Sequence, residues 1–187
     1  MITKTDLEKL RSKDPKIKYG FAKELLKIGA GTPDSLYEHF AYWDELTTSD
    51  NNVLKWTAID IIGYLSAIDE EHKVDNKIDD LLKLLHSGVL ITCNHAIFAL
   101  GLIAQNRPEF KKTIINELIA ISNDEFGIDE CKNIATGKVL EAFKPFISEI
   151  KNNVSVVEFI ENATNSTRNS TKKKAVQLLK KIYATTN

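Results

Sequence analysis

The stretch that decides the fold is CNHAIFALGLIA, which runs from Cys93 to Ala104 near the middle of the 187-residue chain. Its residues favour a helix, yet apolar side chains occupy nearly every side of that helix. A helix of this kind is buried by neighbours on all sides when it belongs to a water-soluble fold. The rest of the chain must therefore supply segments that pack around it.

Five segments of the chain share the pattern of this stretch. In each one a small residue is followed three and four positions later by an apolar pair, which is the spacing of one face of an amphipathic helix. The small residues are Ala22, Ala58, Ala96, Thr136 and Ala175. Their spacings are 36, 38, 40 and 39 residues. The chain is therefore predicted to repeat one structural unit about every 38 residues.

Shorter and more acidic segments alternate with these five. TPDSLYEHFAYWDELT, from Thr32, has a Thr cap and a proline in its first turn, and NKIDDLLKLLHSG ends at Gly88, a typical C-cap. RPEFKKTIINELIAIS and NVSVVEFIENAT complete the series. Period-two alternation and the Asn-Gly or Asp-Gly turns of hairpins do not occur in the sequence. These patterns predict a repeated helix–turn–helix unit and a single domain over residues 1–187.

The repeated pattern resembles that of the HEAT-like repeat family, an armadillo-type α-solenoid, over essentially the whole chain. NNVLKWTAIDIIGYL carries the resemblance most fully, with Lys55 at the usual basic position, Ala58 at the small packing position and Gly63 before the helix end. Cys93 and Asn133 replace the basic residue in the third and fourth copies, so the match implies a shape and not a chemistry. The resemblance implies an all-α, right-handed α-solenoid of about five HEAT-like helix pairs. Stacked neighbours would then bury the central helix from both sides.

Composition and charge argue against several classes of function. The formal net charge is -1, whereas a general nucleic-acid binder is normally basic overall. Two cysteines exclude a disulfide scaffold and favour a reducing, cytoplasmic location. The N-terminal segment lacks the apolar run of a secretory signal, and Asn94 and His95 interrupt the most apolar stretch, so no membrane span is expected.

Motifs of catalysis and cofactor binding are absent from the sequence. It contains no serine nucleophile elbow, P-loop, GxGxxG, CxxC or HExxH. Cys93 and His95 are two residues apart, so they point in different directions on a helix and do not form a metal site. We therefore expect no cofactor, no metal and no enzymatic activity.

The second helix of each pair has a sector opposite its core stripe, and this sector is the candidate binding site. In HEAT-like solenoids the second helices line the concave surface, so the resemblance implies that these residues contact a protein partner. The candidate residues are Trp56, Asp60, Tyr64, Asn94, His95, Phe98, Lys138, Lys173, Lys174 and Lys181. Aromatic residues that grade into lysines suit a partner with an apolar anchor and an acidic end. The alternative is that repeat curvature buries these side chains.

Charge is segregated along the chain. Between Asp34 and Asp50 there are five acidic residues and no lysine or arginine. From Asn162 to the end there are six basic residues and no acidic one. Two interpretations stay open: solvated faces with cations near a helix C-terminus, or a basic end that docks on an acidic surface or a phosphate backbone.

One enzymatic alternative depends on two positions. HEAT-like alkylpurine DNA glycosylases present a Trp and an Asp one helical turn apart, and Trp56 and Asp60 have that spacing. That family is basic overall and presents an Arg on a following helix, where this chain has His95 at the nearest position. If the chain is not a glycosylase, Asp60 is expected to be solvated or locally hydrogen-bonded. The sequence thus favours a non-catalytic scaffold for a protein partner, with a DNA-binding or DNA-repair protein as the alternative.

Overall fold

The computed structural model describes residues 2–184, and within that range the chain is helical and forms no β-strand. The α-helices are α1 (Lys4–Leu7), α2 (Pro15–Gly31), α3 (Asp34–Tyr37), α4 (Phe40–Leu46), α5 (Asn52–Leu65), α6 (Ile78–Leu85), α7 (Leu90–Asn106), α8 (Pro108–Ala120), α9 (Asp129–Phe143), α10 (Ile147–Ile150), α11 (Val154–Ala163) and α12 (Asn169–Ala184). Single 3₁₀ turns occupy Glu8–Arg11, Asp75–Lys77, Ile121–Asn123 and Lys144–Phe146. The five predicted second helices are α2, α5, α7, α9 and α12, which confirms the all-α solenoid class.

Local capping explains where several helices begin and end. The Asp14 carboxylate accepts a hydrogen bond from the Lys16 amide at 2.8 Å, and Asn51 and Asn153 cap α5 and α11 in the same way. Gly88 has φ +71°, the left-handed conformation that a C-cap glycine adopts. Helix α6 itself ends at Leu85, so Gly88 lies in the turn before α7 and is not the C-cap that the sequence predicted.

The first helix of the second pair differs from its prediction. A single helix was expected from Thr32 onward, but Thr32 instead ends α2, and the segment breaks into α3 and α4 at His39. The carbonyl of Leu36 accepts hydrogen bonds from the His39 amide at 3.1 Å and from the Trp43 indole at 2.9 Å. This carbonyl is therefore turned towards a buried tryptophan and away from the regular helical ladder.

The chain divides into two compact units, Met1–Leu81 and Leu82–Asn187. In unit 1, α2 and α4 both pack on α5. In unit 2, α7 packs on α8 and α9, α9 packs on α12, and α11 packs on α12 and touches α8. Second helices of unit 2 are therefore neighbours of one another, as a stack of repeats requires. The assignment of residues 1–187 to one domain stays a prediction.

Contacts between neighbouring repeats of unit 2 recur at one sequence separation. Four polar pairs each join residues that are 38 positions apart. They are His86–Asp124 at 2.8 Å, Lys111–Glu149 at 2.5 Å, Glu130–Arg168, and Thr171 to the Asn133 carbonyl at 2.7 Å. This separation equals the repeat length seen in the sequence, so these pairs join equivalent positions of successive repeats.

Burial of the small anchor residues follows the predicted register in four of the five second helices and departs from it in α9, where Ala135 and Gly137 are buried instead of Thr136. Ala22, Ala58, Ala96 and Ala175 are buried, and Thr136 is half-buried. The helix packed on every side is α5 rather than α7, because residues 57–63 of α5 are all buried. Helix α7 leaves Ile91 and Phe98 exposed, by 48% and 38%. The expectation that α7 has no open side is therefore wrong.

Glycine permits the close approach of second helices in unit 2. A Cβ added at Gly101 on α7 would lie 2.9 Å from the Cβ of Ala142 on α9. A Cβ at Gly137 on α9 would lie 2.6 Å from the Thr171 hydroxyl on α12. Both separations are below ordinary van der Waals contact, so the stack α7–α9–α12 requires glycine at these two positions.

Replacing Gly101 with Ala is expected to lower the free energy of unfolding by about 1–3 kcal/mol, because the new methyl group overlaps Ala142. Urea unfolding followed by circular dichroism measures the change. The matched control is Gly20→Ala in α2, where no atom lies within 4 Å of the new Cβ. Gly20→Ala should instead stabilise by about 0.5–1 kcal/mol through helix propensity. Equal effects of the two substitutions would contradict the close packing.

Candidate partner-binding surfaces

In unit 1 the candidate residues Trp56, Asp60 and Tyr64 lie on α5, and we call them the α5 patch. The Tyr64 ring packs over Gly29 of α2, where an added Cβ would lie 2.7 Å from Tyr64 Cδ2. Burial raises the pKa of the Tyr64 phenol, and the Asp60 carboxylate raises that pKa further. Trp56 and Tyr64 are half-buried, so part of each side chain stays accessible.

Asp60 and its neighbour Thr57 are more enclosed than the sequence suggested. Asp60 is 7% exposed, and Thr57 is 5% exposed with its hydroxyl donating to the Val53 carbonyl at 2.7 Å. Asp60 is therefore not a solvated residue. The sector opposite the core stripe of α5 is closed at its centre because residues 57–63 of α5 are all buried, and Val53, Trp56 and Tyr64 stay partly open.

In unit 2 the candidate residues lie on three adjacent helices, and we call this surface the second-helix face. It carries Asn94, His95 and Phe98 on α7, Lys138 on α9, and Lys173, Lys174 and Lys181 on α12. Asn94 and His95 are half-buried. The Asn94 Oδ1 atom is buried and has no hydrogen-bond partner among the described residues. A buried acceptor without a protein partner is uncommon.

Two of the predicted lysines are neutralised within the fold. Lys174 and Lys138 contact the Glu141 carboxylate at 2.8 and 3.3 Å, and Lys174 also donates to the Gly137 carbonyl at 3.3 Å. Burial alone would raise the pKa of Glu141, but the two ammonium groups outweigh it and that pKa is lowered. Arg168, also from the basic C-terminal segment, pairs with Glu130. Lys173 and Lys181 are exposed on α12, and Lys181 also lines a depression beside α10.

Exposed apolar residues at the starts of two second helices escaped the sequence prediction. Val89 precedes α7 and is 56% exposed, and Ile128 precedes α9 and is 63% exposed. The turns before these helices lie close together, since a Cβ at Gly88 would be 3.3 Å from the Glu125 carbonyl. The sequence did contain a signal for these two residues, because each occupies an N-cap position that usually holds Ser, Thr, Asp or Asn.

The two cysteines differ in their surroundings. Cys93 is buried, and this burial, together with the nearby Asp124 carboxylate, raises the pKa of its thiol to about 12. Cys131 is half-buried on α9. A thiol held in its neutral form is a core residue, so Cys93 fills space beside the candidate face and supplies no reactive group.

Comparison with known proteins gives a likeness in fold alone. No protein-family model matches the chain, and no curated protein matches it. An engineered protein known from its crystal structure has a TM-score of 0.56 and 21% identity over 95% of this chain, which spans only 47% of that protein. A second engineered protein has a TM-score of 0.50 and 17% identity, with 96% of each chain covered. A designed armadillo repeat protein has 13% identity and a TM-score of 0.38 over 95% of this chain.

The two likenesses with TM-scores of 0.56 and 0.50 agree with the fold of stacked helix pairs and show nothing beyond it. Membership of the HEAT-like family stays a prediction. No helix within residues 2–184 is both long enough and apolar enough to cross a membrane.

At pH 8 a thiol-specific aromatic disulfide reagent is expected to modify one cysteine of the native protein, Cys131. Cys93 should react only after unfolding in urea, because its pKa of about 12 and its burial leave almost no accessible thiolate. Absorbance of the released thiol counts the modified residues. The variant Cys131→Ser should show no fast reaction in the native state. Two fast thiols in the native wild type would show that Cys93 is accessible.

Proposed function

We propose that this chain is a non-catalytic helical-repeat scaffold that binds a protein partner through the second-helix face of unit 2. The observation that supports this proposal is the exposure of Phe98 and Ile91 on α7, a helix whose other large apolar side chains are mostly buried. Burying one such side chain contributes about 1.5–3 kcal/mol. The pair therefore provides the apolar anchor that a specific protein interface needs at its centre.

The charges around this anchor indicate the chemistry of the partner. Lys173 and Lys181 are exposed on α12, and no acidic residue occurs in the sequence after Glu161. Exposed lysines steer an acidic segment towards the surface and change the rate of association more than the affinity. A partner that pairs an apolar side chain with an acidic stretch is the one that this face suits. The cytoplasm is the proposed location, and no cofactor is required.

The α5 patch of unit 1 is a second contact region in the same proposal. Trp56 and Tyr64 are half-buried, and Tyr64 is held in place by Gly29. Aromatic rings that are already fixed by packing lose little side-chain entropy on binding. Asp60 contributes little contact area because it is enclosed.

Replacing Ile91 and Phe98 together with Ala is expected to weaken partner binding by about 2 kcal/mol or more, because the apolar anchor is lost. A pull-down from the native lysate with mass-spectrometric identification supplies the partner, and titration calorimetry with the purified partner gives the affinity. Ile17→Ala is the matched control, because Ile17 lies on α2 and is 48% exposed, the same fraction as Ile91. Unchanged affinity in the double variant would exclude α7 from the interface.

A second test separates the scaffold from the DNA glycosylase alternative at the α5 patch. Trp56→Ala should weaken partner binding, whereas Asp60→Asn should leave it nearly unchanged. No base should be released by the wild type from a duplex that contains a methylated purine, which chromatography of the free base detects. Base release by the wild type that disappears in Asp60→Asn would establish the glycosylase instead, because a carboxylate there would stabilise the developing positive charge.

A further inference from the structure

Unit 2 also contains a groove on the side of its first helices, away from the residues discussed above. The groove lies between α8 and α11, with the first half of α9 behind it and the loop between α11 and α12 at one end. Its volume is about 720 Å³, which is within the range of ordinary ligand sites. Helices α8 and α11 touch each other only slightly, so a cleft stays open between the two repeats.

The end of the groove is held in place by a hydrogen-bond network. The Asn133 side chain on α9 donates to the Thr167 hydroxyl at 3.0 Å and accepts from the Ser166 hydroxyl at 2.7 Å. The Thr171 hydroxyl bonds the Asn133 carbonyl at 2.7 Å. This network ties the α11–α12 loop to α9, so the groove is formed before any ligand binds.

Carboxamide side chains line both walls of the groove. Asn116 and Asn123 lie on the α8 side, and Asn162 and Asn165 lie on the α11 side. All four are exposed, and none makes a side-chain hydrogen bond within the described part of the chain, whereas Asn133 and Asn153 serve structural bonds. A carboxamide donates and accepts at the same time, which matches the alternating N–H and C=O groups of an extended polypeptide.

The floor of the groove is apolar and lacks an open aromatic surface. Ile119 and Ala120 of α8 and Phe159 and Ala163 of α11 form it. Phe159 is only 8% exposed, so it provides no ring face on which a sugar or a nucleobase would stack. Small apolar side chains of a bound segment suit such a floor.

Charge in the groove does not favour an anionic ligand. Lys132 is the only lysine or arginine among the described lining residues, and its ammonium group donates to the Ser122 carbonyl at 3.0 Å. Asp129 and Glu158 add two carboxylates. A phosphate or a nucleic-acid backbone would meet more negative than positive charge here.

From these observations we infer that the groove between α8 and α11 binds an extended, uncharged segment of another polypeptide through its backbone. The four asparagines bond alternate backbone groups, and the floor accepts small apolar side chains. The inference is independent of the second-helix face, because the two surfaces lie on different sides of their helices and share none of the residues named for them.

The probe is a random 12-residue peptide library displayed on phage and selected against the immobilised wild-type protein. An enriched peptide is then synthesised with a fluorophore, and its affinity is measured by fluorescence anisotropy. The double variant Asn116→Leu/Asn162→Leu is expected to weaken binding about 10-fold or more, because Leu keeps the size of Asn and removes its hydrogen bonds. The variant Asn162→Gln should lose less affinity for the peptide than Asn162→Leu, because glutamine retains the carboxamide.

Two controls distinguish this groove from other surfaces. Asn152→Leu changes an exposed asparagine of the same unit that does not line the groove, and it should bind the peptide as the wild type does. Phe98→Ala should also have no effect, and a peptide lost only in Phe98→Ala would overturn the inference while supporting the second-helix face. Failure to enrich any peptide, or equal binding by the double variant with an unchanged urea midpoint, would overturn it too. Binding of an oligosaccharide array that is lost in the double variant would reject the polypeptide class.

Discussion

The close stacking of second helices at glycine is the constraint on which unit 2 depends. Gly101 lets α7 meet Ala142 of α9, and Gly137 lets α9 meet Thr171 of α12. Helices that approach this closely bury the anchors Ala96 and Ala175, and the polar pairs 38 residues apart then set the register between repeats. A stack of this kind is extended by adding repeats, so each helix pair needs only its neighbours for stability.

The same stacking determines which surfaces stay open. Second helices that pack closely together present a face on which Phe98 of α7 and Lys173 of α12 are exposed. First helices α8 and α11 touch each other only slightly, whereas α9 and α12 pack closely, and the groove lies between the two first helices. One packing arrangement thus produces two surfaces of different chemistry, one with an apolar anchor and lysines, the other lined by neutral amides.

Most of the fold could be predicted from the sequence because repeat packing imposes a period that survives divergence. The small anchors and their apolar pairs identified all five second helices. Two features could not be predicted because they depend on tertiary packing. The break at His39 depends on the hydrogen bond of the Trp43 indole, and the extra helix α10 depends on the Lys144–Phe146 turn that precedes it. Helical periodicity describes one helix and carries no information about the distance to the next.

The same limit explains what the sequence revealed of the candidate sites. A sector opposite the core stripe was expected to be open, and it is open at Phe98 but closed at Asp60, because α5 is packed on more sides than α7. The sequence predicted that Lys138 and Lys174 contribute charge to binding, yet both pair with Glu141. Lys138 is three residues from Glu141 on α9, and Lys174 reaches the same carboxylate from α12 of the next repeat. The asparagines of the groove come from α8, the Ile121–Asn123 turn, α11 and the α11–α12 loop, so no single helix carries them all. A site assembled from several elements is visible only when the stack places those elements side by side, and this holds for the amide groove more than for any other surface of the described chain.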